Sequence, residues 1–261
     1  MHLCNARLGQ NGPVPASIRL PDGTRLRPLT ARSVVLSTLL GKKGGSATPY
    51  ELVLVGRELG ITETALRASL SRMLEAGDVV RADGRYRLAA RLVERQRRQD
   101  EAAAPPAREW DGTWHIAIVT ASGRPSAERA ELRAALRGSR LAELREGVWM
   151  RPGNLAAGLT PRPEIDLFSG AKPHMDDREL AGQLWDLPGW AETARHLLEG
   201  FHDAATNAAR FTIVAAIVRH LLVDPVLPST LLPATYPADE LRRVYADFRG
   251  EMLELGSRTA G

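Results

Sequence analysis

From Thr30 onward, apolar residues recur every three or four positions, and that spacing predicts helices. Val35, Leu36, Leu39 and Leu40 share one face of a helix over 31–40, which Thr30 caps and Gly41 ends. Lys42 and Lys43 follow, where a helix C-terminus favours positive charge. Thr48-Pro49-Tyr50-Glu51 opens a second helix. It is a capping box with proline at the first helical position, and Leu52, Val55 and Leu59 line the buried face. Gly60-Ile61 makes a short turn, and Thr62 caps a third helix that runs to about Ala76. Leu66, Leu70, Met73 and Leu74 form its core stripe. Thr64, Ala68, Ser71 and Arg72 point away, with Arg67 on the flank.

After Gly77 the period changes to two. Residues 79–81 and 85–88 read as paired strands around Asp83-Gly84, a two-residue hairpin turn. Two helices joined by a glycine-bearing turn, with a hairpin after the second, describe a winged helix-turn-helix. A polar helix over 91–99 leads to a linker around Pro105-Pro106. Strands are then predicted over 114–120, 147–151 and 164–168, with a helix over 126–137, which is a small α+β pattern of ferredoxin-like type. The final third reads as helices over 177–187, 188–205, 208–222 and 238–255. A proline-stiffened connector, 225–237, precedes the last, and 208–222 is apolar enough to be central or interfacial. The fold class is α+β. Its parts are a flexible extension (1–27), a winged-helix domain (28–98), a linker (99–109), a ferredoxin-like middle domain (110–175) and a helical C-terminal domain (176–261).

Charge sharpens this picture. Of 261 residues, 1–98 hold 17 Lys and Arg against 8 Asp and Glu, and the remainder hold 18 against 23, so a net charge of +4 conceals a basic first third. A phosphate-binding module needs such a concentration of cations. The outward face of the third helix carries hydroxyls, a methyl and guanidinium groups. Short groups let a helix sink into a major groove, and arginine can bond a guanine edge or a phosphate bidentately. Thr62, Thr64, Arg67, Ala68, Ser71 and Arg72 on the helix, with Arg81, Arg85 and Arg87 on the hairpin, are the expected DNA-binding residues. A solvated face or a charged sheet edge would look similar in either element alone; it is their convergence that favours DNA.

Rival chemistry finds less support. With one cysteine, Cys4, no disulfide framework can form within the chain, which fits a reducing cytoplasm. No apolar run reaches membrane-spanning length. A metal-dependent nuclease on the middle domain would need a carboxylate after the first strand, but Thr120-Ala121-Ser122 follows Val119, and Asp111 reads as turn chemistry. The six histidines show no metal-ligand spacing. An adaptor using its winged helix for protein contacts is the other alternative, and the arginine hairpin argues against it. No enzyme activity, metal or cofactor is expected. Trp114, Trp149, Trp185 and Trp190 offer ring surfaces for an effector, though tryptophans are usually core. Arg124, Arg129, Arg133, Arg151 and Arg162 are cations available to ligand phosphates.

Longer strings carry a family resemblance. They are Gly60-Ile61-Thr62, Ala65-Leu66-Arg67-Ala68-Ser69-Leu70-Ser71-Arg72-Met73, Gly84-Arg85-Tyr86-Arg87-Leu88, Trp110-Asp111-Gly112-Thr113-Trp114, Gly147-Val148-Trp149-Met150-Arg151-Pro152, Leu184-Trp185-Asp186-Leu187 and Asp224-Pro225-Val226-Leu227-Pro228. In this order the chain resembles the PaaX family, repressors of phenylacetic acid degradation operons in bacteria. The resemblance implies a homodimer with a winged-helix head, a ferredoxin-like middle domain and a helical C-terminal domain. It also implies repression of a catabolic operon, with release from double-stranded operator DNA when an aryl- or acyl-CoA thioester, typically phenylacetyl-CoA, binds. No set of effector contacts carries over residue by residue, and the segment through Arg27 has no place in the family pattern.

Overall fold

Three threonines open the first three helices by one chemistry. Thr30, Thr48 and Thr62 lie in extended backbone, and their hydroxyls accept from the amides of Ser33, Glu51 and Ala65. Each thus satisfies a helix-end donor that has no partner within the helix. The helices are α1 (Ala31–Gly41), α2 (Pro49–Glu58) and α3 (Glu63–Glu75). The capping box expected at Thr48 is present, with Glu51 accepting from the Thr48 amide at 2.5 Å. Thr30 has a second one, in which the Ser33 hydroxyl accepts from its amide at 2.8 Å. This computed structural model describes residues 18–27, 29–42, 44–156 and 159–257. Cys4, Lys43 and the first seventeen residues of the expected extension lie outside them.

Val35, Leu39 and Leu40 of α1, Leu52 of α2, and Leu66, Leu70 and Met73 of α3 form one buried core. Leu74 is a correction to the expected stripe. It is 37% exposed, and Ser69 is buried on the inner face instead. Positions 66, 70 and 73 already span the inner face, so 74 turns beyond its edge. Gly56 allows α2 and α3 to approach: a Cβ there would sit 2.6 Å from Leu66 Cδ1, and Leu66 has no solvent-exposed surface into which to move. Gly56→Ala is therefore expected to lower stability by a net ~1–2 kcal/mol in urea unfolding, because overpacking exceeds alanine's gain in helix propensity.

Part of the expected flexible extension is ordered. Strands β1 (Ile18–Arg19) and β2 (Arg25–Leu26) pair antiparallel, and the Asp22 carboxylate accepts from the Thr24 amide and hydroxyl at 2.9 and 2.8 Å. Leu20 and Leu26 are buried, which holds the hairpin down. Strands β3 (Ser46–Ala47), β4 (Val79–Ala82) and β5 (Arg85–Leu88) form an antiparallel sheet in the order β3-β5-β4. Asp83 and Gly84 both have positive φ (52° and 70°), the geometry that an Asp-Gly hairpin turn requires.

Helix α4 (Ala90–Ala103) runs past the predicted 91–99 into the front of the expected linker. Residues 100–104, Asp-Glu-Ala-Ala-Ala, are able to continue a helix, and Pro105-Pro106 follows its end. Buried Gln96 on α4 donates to the carbonyls of Leu40 and Lys42 at 3.0 and 2.7 Å, satisfying the C-terminal end of α1.

The next stretch holds β6 (Trp114–Val119), α5 (Ser126–Gly138), β7 (Ala142–Arg145), β8 (Val148–Pro152) and β9 (Ile165–Ala171). The sheet order is β7-β8-β6-β9, with every neighbouring pair antiparallel. Strand β7 was not expected; only Ala142 and Leu141 beside it are buried, too short an apolar run to signal a strand. Side chains alternate across β6. Ala117 and Val119 pack with Leu132 and Leu136 of α5, whereas Trp114 and Ile116 pack with Leu180 of α6 (Asp177–Leu184). Among the described residues, α7 (Leu187–Asp203), α8 (Asn207–Leu221) and α9 (Ala238–Ser257) follow, with a short 3-10 turn, Ser229–Leu231, between the last two.

The backbone divides into two units. One holds the described residues up to Ala103 with Ala194–Leu222 and those from Asp239 onward; the other holds Ala104–Thr193 and Val223–Ala238. The region expected as a single helical domain, 176–261, is thus shared between them. Helix α8 is apolar on nearly all sides because it is enclosed within the first unit, with Phe211, Ile213, Ile217 and Leu221 buried. Arg249 on α9 bonds the Gly41 carbonyl and, at 2.8 Å, Asp100 of α4.

Candidate nucleic-acid interface

Thr62, Thr64, Arg67, Ala68, Ser71 and Arg72 are all exposed along α3, while Leu66, Leu70 and Met73 hold the opposite face in the core. The two arginines differ in their commitments. Arg67 bonds Glu63 through Nε at 2.9 Å and Nη2 at 2.6 Å, and Arg57 reaches the same carboxylate at 3.0 Å. Hydrogen bonds from Arg67 and then Arg57 hold the Glu63 carboxyl below its ordinary range. Arg72 makes no side-chain hydrogen bond or ion pair among the described residues. One helical turn before it, Ala68 presents only a methyl, and Ser71 bonds the Arg67 carbonyl at 3.3 Å.

The three arginines of the hairpin have different surroundings. Arg85 and Arg87 alternate with Tyr86 and Leu88, whose side chains enter the core, so the arginines take the outer face. Arg85 is half-buried and engaged within the domain. Its Nε donates to Ser46 Oγ at 3.2 Å and its Nη2 to Glu51 at 3.2 Å, tying the sheet to α2. Glu51 also accepts from Lys42 at 2.5 Å. Burial pushes the Glu51 carboxyl upward, but the bonds from Lys42 and the Thr48 amide outweigh it, and its pKa is lowered overall. Arg81 is paired across the strands with Tyr86, and its guanidinium lies 5.9 Å from that ring's centroid, on the other face from Arg87. Arg87 is exposed, and among the described residues it pairs with exposed Asp83 at 3.1 Å, a surface pair that costs little to break.

Asp78 at the α3–β4 corner carries no motif, yet it ties the end of α3 to two other helices. Its side chain is 5% exposed and accepts from Arg32 of α1 at 2.6 Å and from Arg91 of α4. Arg91 also donates to the carbonyl of Ala76 at 3.1 Å. One buried carboxylate therefore joins the start of α1, the end of α3 and the start of α4.

The second unit holds the four tryptophans and the further cations that the sequence offered to a ligand. Trp114, Trp149 and Trp190 are buried, and Trp185 packs against the core around Trp114. Trp114 Nε1 donates to Asp177 at 2.7 Å, and Trp190 stacks on Tyr236 with centroids 4.7 Å apart. Trp114, Trp149 and Trp190 are core residues, the usual place for tryptophan, and Trp185 is partly buried. The cations offered there for ligand phosphates are also engaged. Arg124 pairs with Glu164 at 3.0 Å, Arg133 with Glu143 at 2.6 Å and Arg162 with Glu164 at 3.6 Å. Arg129 donates to the Arg124 carbonyl at 3.0 Å, and Arg151 is buried. Burial and the nearby charges of Arg140 and Arg108 push the Arg151 guanidinium down to about 10. Asp111 accepts from the Thr113 amide and hydroxyl at 3.0 and 2.6 Å, the turn chemistry expected of it. Among the described residues, no cluster of three or more His, Cys, Asp or Glu is arranged to hold a metal ion. None of the described helices is long and apolar enough to cross a membrane.

Three family models match the chain in succession. They are PaaX-like protein over residues 30–92, PaaX protein central Cas2-like domain over 107–176, and PaaX-like protein C-terminal domain over 188–260. Among solved structures, the chain is similar to an uncharacterized protein, Rv0674 from Mycobacterium tuberculosis. The two are 48% identical with a TM-score of 0.77, over 87% of this chain and 97% of that one. No curated protein matches. Three consecutive models that together take in both structural units leave one assignment: the chain belongs to the PaaX family.

Proposed function

We propose that this protein is a transcriptional regulator that binds operator DNA as a homodimer. In this reading α1, α2, α3 and the β3-β5-β4 sheet are a winged helix-turn-helix, with α3 as the recognition helix and the β4–β5 hairpin as the wing. The β6–β9 sheet with α5 has the strand order of a ferredoxin-like domain and serves as a scaffold, not as an enzyme; neither metal nor cofactor takes part. The observation that carries the reading is the outward face of α3. Arg72 stands there without an acidic partner among the described residues, beside short side chains that let the helix approach base edges. The family resemblance adds the rest: a cytoplasmic repressor of a catabolic operon, released by an aryl- or acyl-CoA thioester.

Fluorescence anisotropy with duplexes from the protein's own upstream region tests this. Two chains are expected per site, with affinity falling steeply as salt rises. Arg87→Ala should weaken specific and random duplexes alike and reduce the salt slope by about 1. Arg85→Ala should act mainly on stability, since its partners are Ser46 and Glu51. Absence of binding at low salt, or saturation at one chain per site, overturns the reading.

A further inference from the structure

A cavity of about 350 Å³ lies inside the first unit, lined by α1, α4, α8 and α9 among others. Its apolar lining includes Leu36, Val214, Val218, Phe211 and Phe248, and the last two rings meet edge to face at 6.2 Å. Six cations also line it. Three are matched by acids: Arg32 by Asp78, Lys42 by Glu51 and Arg249 by Asp100. The other three, Arg27, Arg95 and Arg219, form no hydrogen bond or ion pair through their side chains among the described residues.

We propose that this cavity binds an amphipathic anion, with an apolar body against Phe211, Val218 and Phe248 and a carboxylate or phosphate held by Arg27, Arg95 and Arg219. The volume falls in the range of small-molecule sites, which combine an apolar lining with a few convergent polar groups. Guanidinium groups bind both head groups bidentately. Desolvation, then repulsion from Arg27 and Arg95, lowers the pKa of Arg219, as expected for cations gathered without a counter-charge. A nucleic-acid backbone would meet the arginines but leave the apolar floor empty.

The cavity also bears on α3. Leu36 lines it, while Val35 and Leu39 on the same helix pack in the core with Leu66 and Leu70 of α3. A ligand that favours one spacing of α1 against α8 and α9 thereby favours one placement of α3. This regulatory consequence rests on the DNA-binding reading; the ligand site does not.

The test is calorimetric titration of the full chain, without DNA, using decanoate, decyl phosphate below its micelle concentration, and uncharged decanol. At least one anion should bind once per chain and raise Tm, with decanol at least tenfold weaker. A preference between decanoate and decyl phosphate identifies the head group. Arg95→Ala/Arg219→Ala should weaken the anion at least tenfold and leave decanol unchanged. Both side chains belong to exposed residues, and an unaltered Tm of the unliganded variant verifies its fold. Failure of both anions to bind, equal affinity for decanol, or an indifferent double variant overturns the proposal. So does loss of DNA affinity by the double variant when no amphiphile binds, which would assign the arginines to DNA phosphates. Because the titration contains no DNA, its failure leaves the regulator reading standing, and loss of that reading leaves the ligand site standing.

Discussion

Asp78→Ala is expected to destabilise the protein by about 3 kcal/mol in urea unfolding, with the slope of the transition unchanged. The carboxylate accepts from Arg32 and Arg91 and is itself almost fully buried. Charge-assisted hydrogen bonds contribute roughly 1.5–3 kcal/mol each. The arginine side chains are 56% and 59% exposed, so water replaces part of what they lose, and the expected total falls toward the lower end. Asp78→Asn keeps an acceptor but not the charge, and should cost about half as much. Asp83→Asn is the contrast, because asparagine tolerates the positive φ of that turn position and removes only the charge of a pair exposed on both sides, so it should stay within about 0.5 kcal/mol of the parent. A loss at Asp78 no larger than that at Asp83 would show that the buried corner contributes no more than a surface pair. Because Asp78 joins α1, the end of α3 and α4, its alanine variant should also bind DNA less tightly at temperatures where it remains folded.

Arg72→Ala should weaken operator binding by roughly 1–3 kcal/mol, or about 5- to 150-fold, and relax discrimination at one base pair. Arg72 reaches DNA at no cost in protein contacts among the described residues, whereas Arg67 must release Glu63 first, so Arg67→Ala should have the smaller effect. Arg72→Lys should not restore discrimination, because an ammonium lacks the planar fork that matches a guanine edge. Competition at fixed salt between the operator and duplexes substituted one base pair at a time gives the readout. Unaltered affinity and selectivity in the folded Arg72→Ala protein would exclude α3 as the reading helix.

Much of the architecture was legible because its signals are local. The caps at Thr30, Thr48 and Thr62 need only three or four consecutive residues, as does the Asp83-Gly84 turn. The outward placement of Thr64, Ala68, Ser71 and Arg72 follows from helix periodicity and is observed. Leu74 was misplaced because a periodic stripe has a fuzzy edge, and only the packing of α3 on α1 and α2 decides where burial ends. Arg85 and Arg87 read alike in sequence, since both occupy the outer face of one strand. Their difference comes from Glu51, 34 residues before Arg85, and a local pattern carries no record of that distance.

The sequence by itself determined the helices with their caps, the hairpin turn, the basic first third and the family. Tertiary structure alone decided which cations are spoken for. It also decided that Asp78 is a buried junction, that Ile18–Arg19 and Arg25–Leu26 pair, and that α8 and α9 join the N-terminal helices around a cavity. The reason is physical. Caps, turns and helix periodicity arise from interactions across a few residues of one chain segment, whereas burial and ion pairing depend on which distant segments fill the space beside a side chain.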